Sequence, residues 1–229
     1  MPRSRPTTEI VTNLGRRLRL VLRREPEPPV ASSPLVDTPA TPRQVEFVAY
    51  AEDCLLSGYV RLAADRLTDL LNEHEVLELV DVYVQDLAAG TGMQVATIRV
   101  DRDELLMVHA VGPRGNRGRR TRMRQHPVGI QIGPYHVRGY IHALPGADPI
   151  SSFRRRRPMV PITDAWIEYV AGTTRQRRRV GTLIVNRQLV DWIVEANDEE
   201  VEMPDIPLSA YPQGPLLKDF TGRIHVEQG

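Results

Sequence analysis

The chain has 229 residues, of which 41% are hydrophobic and 26% charged, with a formal net charge of +1. That is enough apolar material for one domain or two small ones, and too little net charge for a histone-like polycation. A single cysteine, Cys54, excludes an intrachain disulfide and a cysteine-based zinc site, and with no apolar run near the ~18–20 residues of a membrane span and no signal-peptide core, a reducing, cytoplasmic setting is expected.

Residues 1–43 read as a basic arm and linker. Ile10, Val11, Leu14, Leu18, Val21 and Leu22 fall on one side of a helical wheel, and Arg16, Arg17, Arg19, Arg23 and Arg24 fall on the other. A helix over 8–24 with such faces suits a membrane surface, a polyanion or a protein partner, or simple docking on its own domain. Six prolines between Glu25 and Pro42 then predict a largely disordered linker.

The folded body is expected from Gln44. Val45, Phe47 and Ala49 alternate as in a half-buried strand, Glu52-Asp53 turns, and Cys54–Leu62 forms a second strand containing Gly58. Asp65–Asn72 changes to helical spacing, with Asp65 as its cap. Val76–Asp86 is a third strand, and Val95–Val100 with Leu105–Val111 a final hairpin about Asp101-Arg102-Asp103. Pro113–Arg124 holds six arginines and no acidic residue, so it reads as a linker.

After Arg124 the pattern restarts. Val128, Ile130 and Ile132 alternate, Gly133-Pro134 turns, and Tyr135–Ala143 repeats Cys54–Leu62 with Gly139 in the place of Gly58. Leu144–Phe153 replaces the helix with an irregular loop of at most one helical turn. Met159–Val170 repeats the third strand, its Pro158 and Pro161 suggesting a sheet edge. Gly181–Val185 and Leu189–Val194 supply the last hairpin. The expected fold is therefore mainly β: two tandem, similar five-stranded small barrel-like units by internal duplication, a short inserted helix in the first, and the N-terminal amphipathic helix. The boundaries are 44–112 and 125–196, joined by 113–124 and followed by an acidic, proline-rich tail over 197–229, in which Leu216–Val226 is a candidate last strand.

The run AEDCLLSGYV, then VLELVDVYV, then ATIRVDRDELLMV, resembles Sm-like and other SH3-like small β-barrels in strand order and hydrophobic spacing. The resemblance implies the fold alone. Arg99 is followed by Val100 rather than glycine, and a helix is inserted after the second strand, so that family's nucleotide pocket does not carry over. The pattern G-Y-V-x-L…R-L-T-D-L-L-N is also similar to bacterial proteins of unassigned activity.

Three arginine clusters hold 14 of the 30 basic residues: Arg114, Arg117, Arg119, Arg120, Arg122 and Arg124; Arg154, Arg155, Arg156 and Arg157; and Arg175, Arg177, Arg178 and Arg179. Placed on loops, they suit a phosphate backbone; they equally suit a solvated surface facing the acidic segment 195–205. All basic residues but Lys218 are arginine, which a GC-rich genome explains more simply than selection for phosphate-binding forks. His136 and His142 share a strand face, without an evident third metal ligand. Asp81 and Asp164 occupy matching places; an acid/base pair is one reading, and a repeated turn or bulge aspartate the better one. Tyr59, Tyr83, Tyr140 and Trp166 read as packing residues. No phosphate-cradling loop, dinucleotide fingerprint or nucleophile motif is present. The expectation is a non-enzymatic binding or scaffold protein without cofactor or metal, taking RNA or DNA through arginine-rich loops. The alternative is a protein-interaction or assembly module, homo-oligomeric or recruited through residues 8–24.

Overall fold

The structure is a computed structural model that describes residues 43–110 and 123–201. The expected helix over 8–24, the linker after it, Arg114, Arg117, Arg119, Arg120 and Arg122, and the tail strand Leu216–Val226 lie outside the described residues. The fold is mainly β and divides into two compact units. Leu87–Gly90 groups with the second unit rather than the first.

The first unit contains β1 (Arg43–Tyr50), β2 (Cys54–Leu62), α1 (Leu67–Glu73), β3 (Val76–Asp86), β4 (Gly92–Asp101), a 3-10 turn at Arg102–Glu104, and β5 (Met107–His109). Its strands run β5-β1-β2-β3-β4, with antiparallel pairings throughout. The second unit contains β6 (Arg124–Ile132), β7 (Tyr135–Ala143), α2 (Pro149–Arg154), β8 (Met159–Ala171), β9 (Thr174–Asn186), a 3-10 turn at Arg187–Leu189, β10 (Trp192–Glu195) and α3 (Asp198–Val201). Its order is β10-β6-β7-β8-β9, the same as in the first.

Alternation drives each strand. Phe47, Leu56, Leu79, Ile98 and Val108 are fully buried in the first unit, and Ile130, Val137, Ile162, Ile167 and Leu183 in the second. The alternation slips once per unit. Leu77 and Leu79 point inward, then Val82 and Val84; Val160 and Ile162 point inward, then Ala165 and Ile167. A bulge absorbs the slip. Ser57 and Tyr59 face Tyr83 and Val80, so Gly58 lies across from both Asp81 and Val82. Arg138 and Tyr140 face Trp166 and Thr163 in the same way. Asp81 (φ 52°) and Asp164 (φ 49°) are the only non-glycine residues with positive φ among the described residues. A Cβ on Gly58 would stand 2.8 Å from the Val80 carbonyl oxygen, and one on Gly139 3.0 Å from that of Thr163. The repeated Gly and Asp are thus two sides of one bulge. The glycine is the space opposite it, and the aspartate is the residue that bends.

Four expectations are corrected. The fifth strand of each unit does not close a hairpin with the fourth. The 3-10 turn sends it to the first strand, where β5 pairs with β1 and β10 with β6. The second unit has its own helix, α2, whose N-terminus the Asp148 carboxylate caps by accepting from the Ser151 amide at 2.8 Å, with Pro149 in the first turn. Asp65 does not cap α1: Arg66 is the flanking residue, and its guanidinium holds Asp69 at 2.8 Å. β8 is not an edge, since it pairs with both β7 and β9. Pro161 is tolerated because it lies past Thr163, the last residue paired with β7, where no amide is needed.

Candidate functional site

The arginines of the second unit sort into two groups. Arg124 is not in a linker but opens β6, paired with Ala143, and is exposed. Arg154 closes α2 and Arg155 and Arg157 follow it, all three exposed. α2 lies against β7 and β10. Arg156 differs: its guanidinium donates to the His142 carbonyl, and the Arg156 carbonyl accepts from Arg187 Nε at 2.5 Å. Burial lowers its pKa. Arg156 therefore ties α2 to β7 and to the last 3-10 turn.

Arg175, Arg177, Arg178 and Arg179 are not on a loop. They lie in β9, which pairs with β8 along its full length. Strand alternation then splits them. Arg175, Arg177 and Arg179 face Val170, Glu168 and Trp166 across the ladder, while Arg178 faces Ile167. β7 adds His136 opposite Glu168 and Arg138 opposite Trp166. Two cross-strand rows result, His136–Glu168–Arg177 and Arg138–Trp166–Arg179. Glu168 holds Arg175 Nη2 and Arg177 Nε, each at 3.2 Å. The Arg177 guanidinium lies 4.3 Å from the Trp166 ring centroid and that of Arg179 5.7 Å. Trp166 is buried, as expected, but beneath arginines. Along β8 the first group precedes Met159 and the second centres on Glu168, so they are separated by at most about 30 Å of extended strand.

His136 is buried, and its pKa falls to about 4, chiefly by burial; Glu168 pulls it partly back, and Arg138 and Arg175 push it further down. His142 is lowered by burial and then by Arg156, and its Nε2 lies 2.9 Å from Thr163 Oγ1. Both histidines belong to β7, and among the described residues no group of three His, Cys, Asp or Glu side chains is placed to hold a metal. Cys54 is buried with its pKa pushed up to about 12, by burial first and Asp53 second, so it is a poor nucleophile. Asp81 and Asp164 are exposed bulge residues. No helix among the described residues is long and apolar enough to cross a membrane.

The arginine clusters are one part of a wider charge asymmetry. Between 43 and 110 there are thirteen Asp and Glu against five Arg, a formal −8; between 123 and 201 there are eleven Arg against eight Asp and Glu, a formal +3. The net +1 conceals an acidic unit and a basic one built on one strand order. Register shows where they differ. The row Arg138–Trp166–Arg179 has the counterpart Ser57–Tyr83–Gln94, and His136–Glu168–Arg177 has Leu55–Gln85–Gly92. Tyr59 and Tyr83, expected in packing, are 46% and 42% exposed. Summing charge over each half of the repeat would have found the first difference; the second needed the register. Compared with protein-family models, curated proteins and solved structures, the chain matches none.

Proposed function

We propose that the chain is a non-enzymatic binding protein whose second unit takes a polyanion, RNA or DNA first. The observation that carries this is the set of exposed arginines, Arg124, Arg154, Arg155, Arg157, Arg178 and Arg179, on a unit of formal charge +3. Guanidinium forks suit phosphate oxygens, and contacts to a backbone give affinity without sequence readout. Arg156, Arg175 and Arg177 are spent on the fold and take no part. Titration of labelled single-stranded RNA and DNA against salt tests this. Log Kd should depend linearly on log salt, and Arg154→Ser/Arg155→Ser/Arg157→Ser should make that slope about 2 units shallower. Absence of binding at low salt removes the proposal.

We also infer that each five-strand set curls into a small SH3-like barrel. The order β5-β1-β2-β3-β4, the 3-10 turn before the fifth strand and the bulge that bends the third support it. Through-space proton contacts between β4 and β5, which an uncurled sheet lacks, are the check.

A further inference from the structure

The second unit displays how this frame holds a guanidinium. An aromatic ring on the third strand, Trp166, takes Arg177 and Arg179 from the neighbouring strand, with Glu168 as counter-ion. In the first unit the matching ring is Tyr83, and the matching positions on β4 are Gly92 and Gln94. Tyr83 leans across Gly92, where a Cβ would collide with its ring. Among the described residues no guanidinium lies over Tyr83 or Tyr59. Tyr83 faces Ser57, so Tyr59, two residues along β2, lies on the same face just across the bulge from it. Glu46, opposite Tyr59, and Asp81, in the bulge before Tyr83, are exposed carboxylates on either side. The first unit thus presents two open rings and two carboxylates where the second has supplied its own arginines.

We propose that this Tyr59–Tyr83 face docks the arginine patch Arg154, Arg155 and Arg157 of a second copy of this chain, giving head-to-tail association. Charge complementarity selects the occupant. The face belongs to a unit of formal charge −8, and the exposed arginines at and after the end of α2 belong to a unit of +3. Guanidinium over tyrosine combines ring attraction with a nearby carboxylate. Because face and patch differ, the contact is heterologous and leaves one free face and one free patch at the ends of any open chain of copies. This goes beyond polyanion binding and does not depend on it.

The test is sedimentation of the nuclease-treated full-length chain at about 0.1 M and about 1 M salt, where screening lengths differ by roughly threefold. The expected result is a mass at least twice that of one chain at low salt, falling to one chain at high salt. Tyr59→Ala/Tyr83→Ala, and separately Arg154→Ser/Arg155→Ser/Arg157→Ser, should each be monomeric with unchanged far-ultraviolet dichroism. An equimolar mixture of the two variants should form 1:1 dimers and nothing larger, because only one intact face meets one intact patch. A monomeric native chain at low salt overturns the proposal, as does association that survives the tyrosine substitutions or a mixture that stays monomeric. A free arginine-rich peptide that binds the tyrosine face of a chain that never self-associates also overturns it, in favour of a foreign partner.

Discussion

Gly58 and Gly139 stand where the partner strand swells, and Asp81 and Asp164 are the residues that swell it. A side chain at either glycine must push backbone aside, so Gly58→Ala and Gly139→Ala should each lower unfolding free energy by about 1–3 kcal/mol in urea titrations. A left-handed backbone costs an ordinary L-residue roughly 1–2 kcal/mol, and Asp, Asn and Gly least. Asp81→Asn should therefore be neutral, whereas Asp81→Val should lose about that amount. His136 makes a pH prediction. It faces Gln131 on β6, Glu168 on β8 and the nearby Arg138 and Arg175. Its folded pKa of about 4 lies below the ordinary 6.5. Above pH 6.5 both folded and unfolded forms are neutral and nothing is lost. As pH falls through the window the unfolded chain takes up the proton first, so stability declines by roughly 3 kcal/mol by pH 4. His136→Gln should flatten that decline in chemical denaturation followed across pH 7 to 4; an unchanged slope would count against the buried neutral imidazole.

The two helices occupy one place in the repeat and end differently. α1 is held at its start by an exposed Arg66–Asp69 pair, worth under about 1 kcal/mol. α2 is capped by Asp148, and Asp148→Ala should lower the melting midpoint. Its C-terminal arginines separate by role. Arg156→Met removes the donor to the His142 carbonyl and should destabilise by about 1–3 kcal/mol. Substituting Arg154, Arg155 or Arg157 should leave the melting midpoint within experimental error while weakening polyanion binding. On β8, Glu168→Ala strands two partly buried guanidiniums and should cost about 3 kcal/mol by thermal or urea unfolding.

At the scale of the molecule two units of the same strand order differ in charge. The first carries a formal −8 and the second +3. For a polyanion bound as proposed, the acidic unit in the same chain would oppose its approach and favour the arginine-bearing surface. Glu73→Gln/Glu75→Gln/Glu78→Gln should accordingly raise the association rate with RNA severalfold at about 0.1 M salt and leave it unchanged at about 1 M, as stopped-flow fluorescence would read.

What the chain alone determined is whatever depends on neighbours in sequence. Period-two alternation placed the strands, a switch to helical spacing placed α1, and the matched Gly and Asp announced a shared bend, because each rests on local sterics and on which face is apolar. Asp148-Pro149 was a start signal for α2 that the proline-rich surroundings obscured. The rest was decided by partners remote in sequence. TRQRRR has no apolar alternation, yet becomes strand because β8 continues far enough to pair with it, and strand alternation then divides Arg178 from Arg175, Arg177 and Arg179. The final hairpin was excluded only when the fifth strand met the first, a pairing some sixty residues long in loop closure that no local pattern encodes. Exposure of Tyr59 and Tyr83, and the covering of Trp166 by arginine, follow from which residues stand opposite each ring, and register across strands belongs to the tertiary structure.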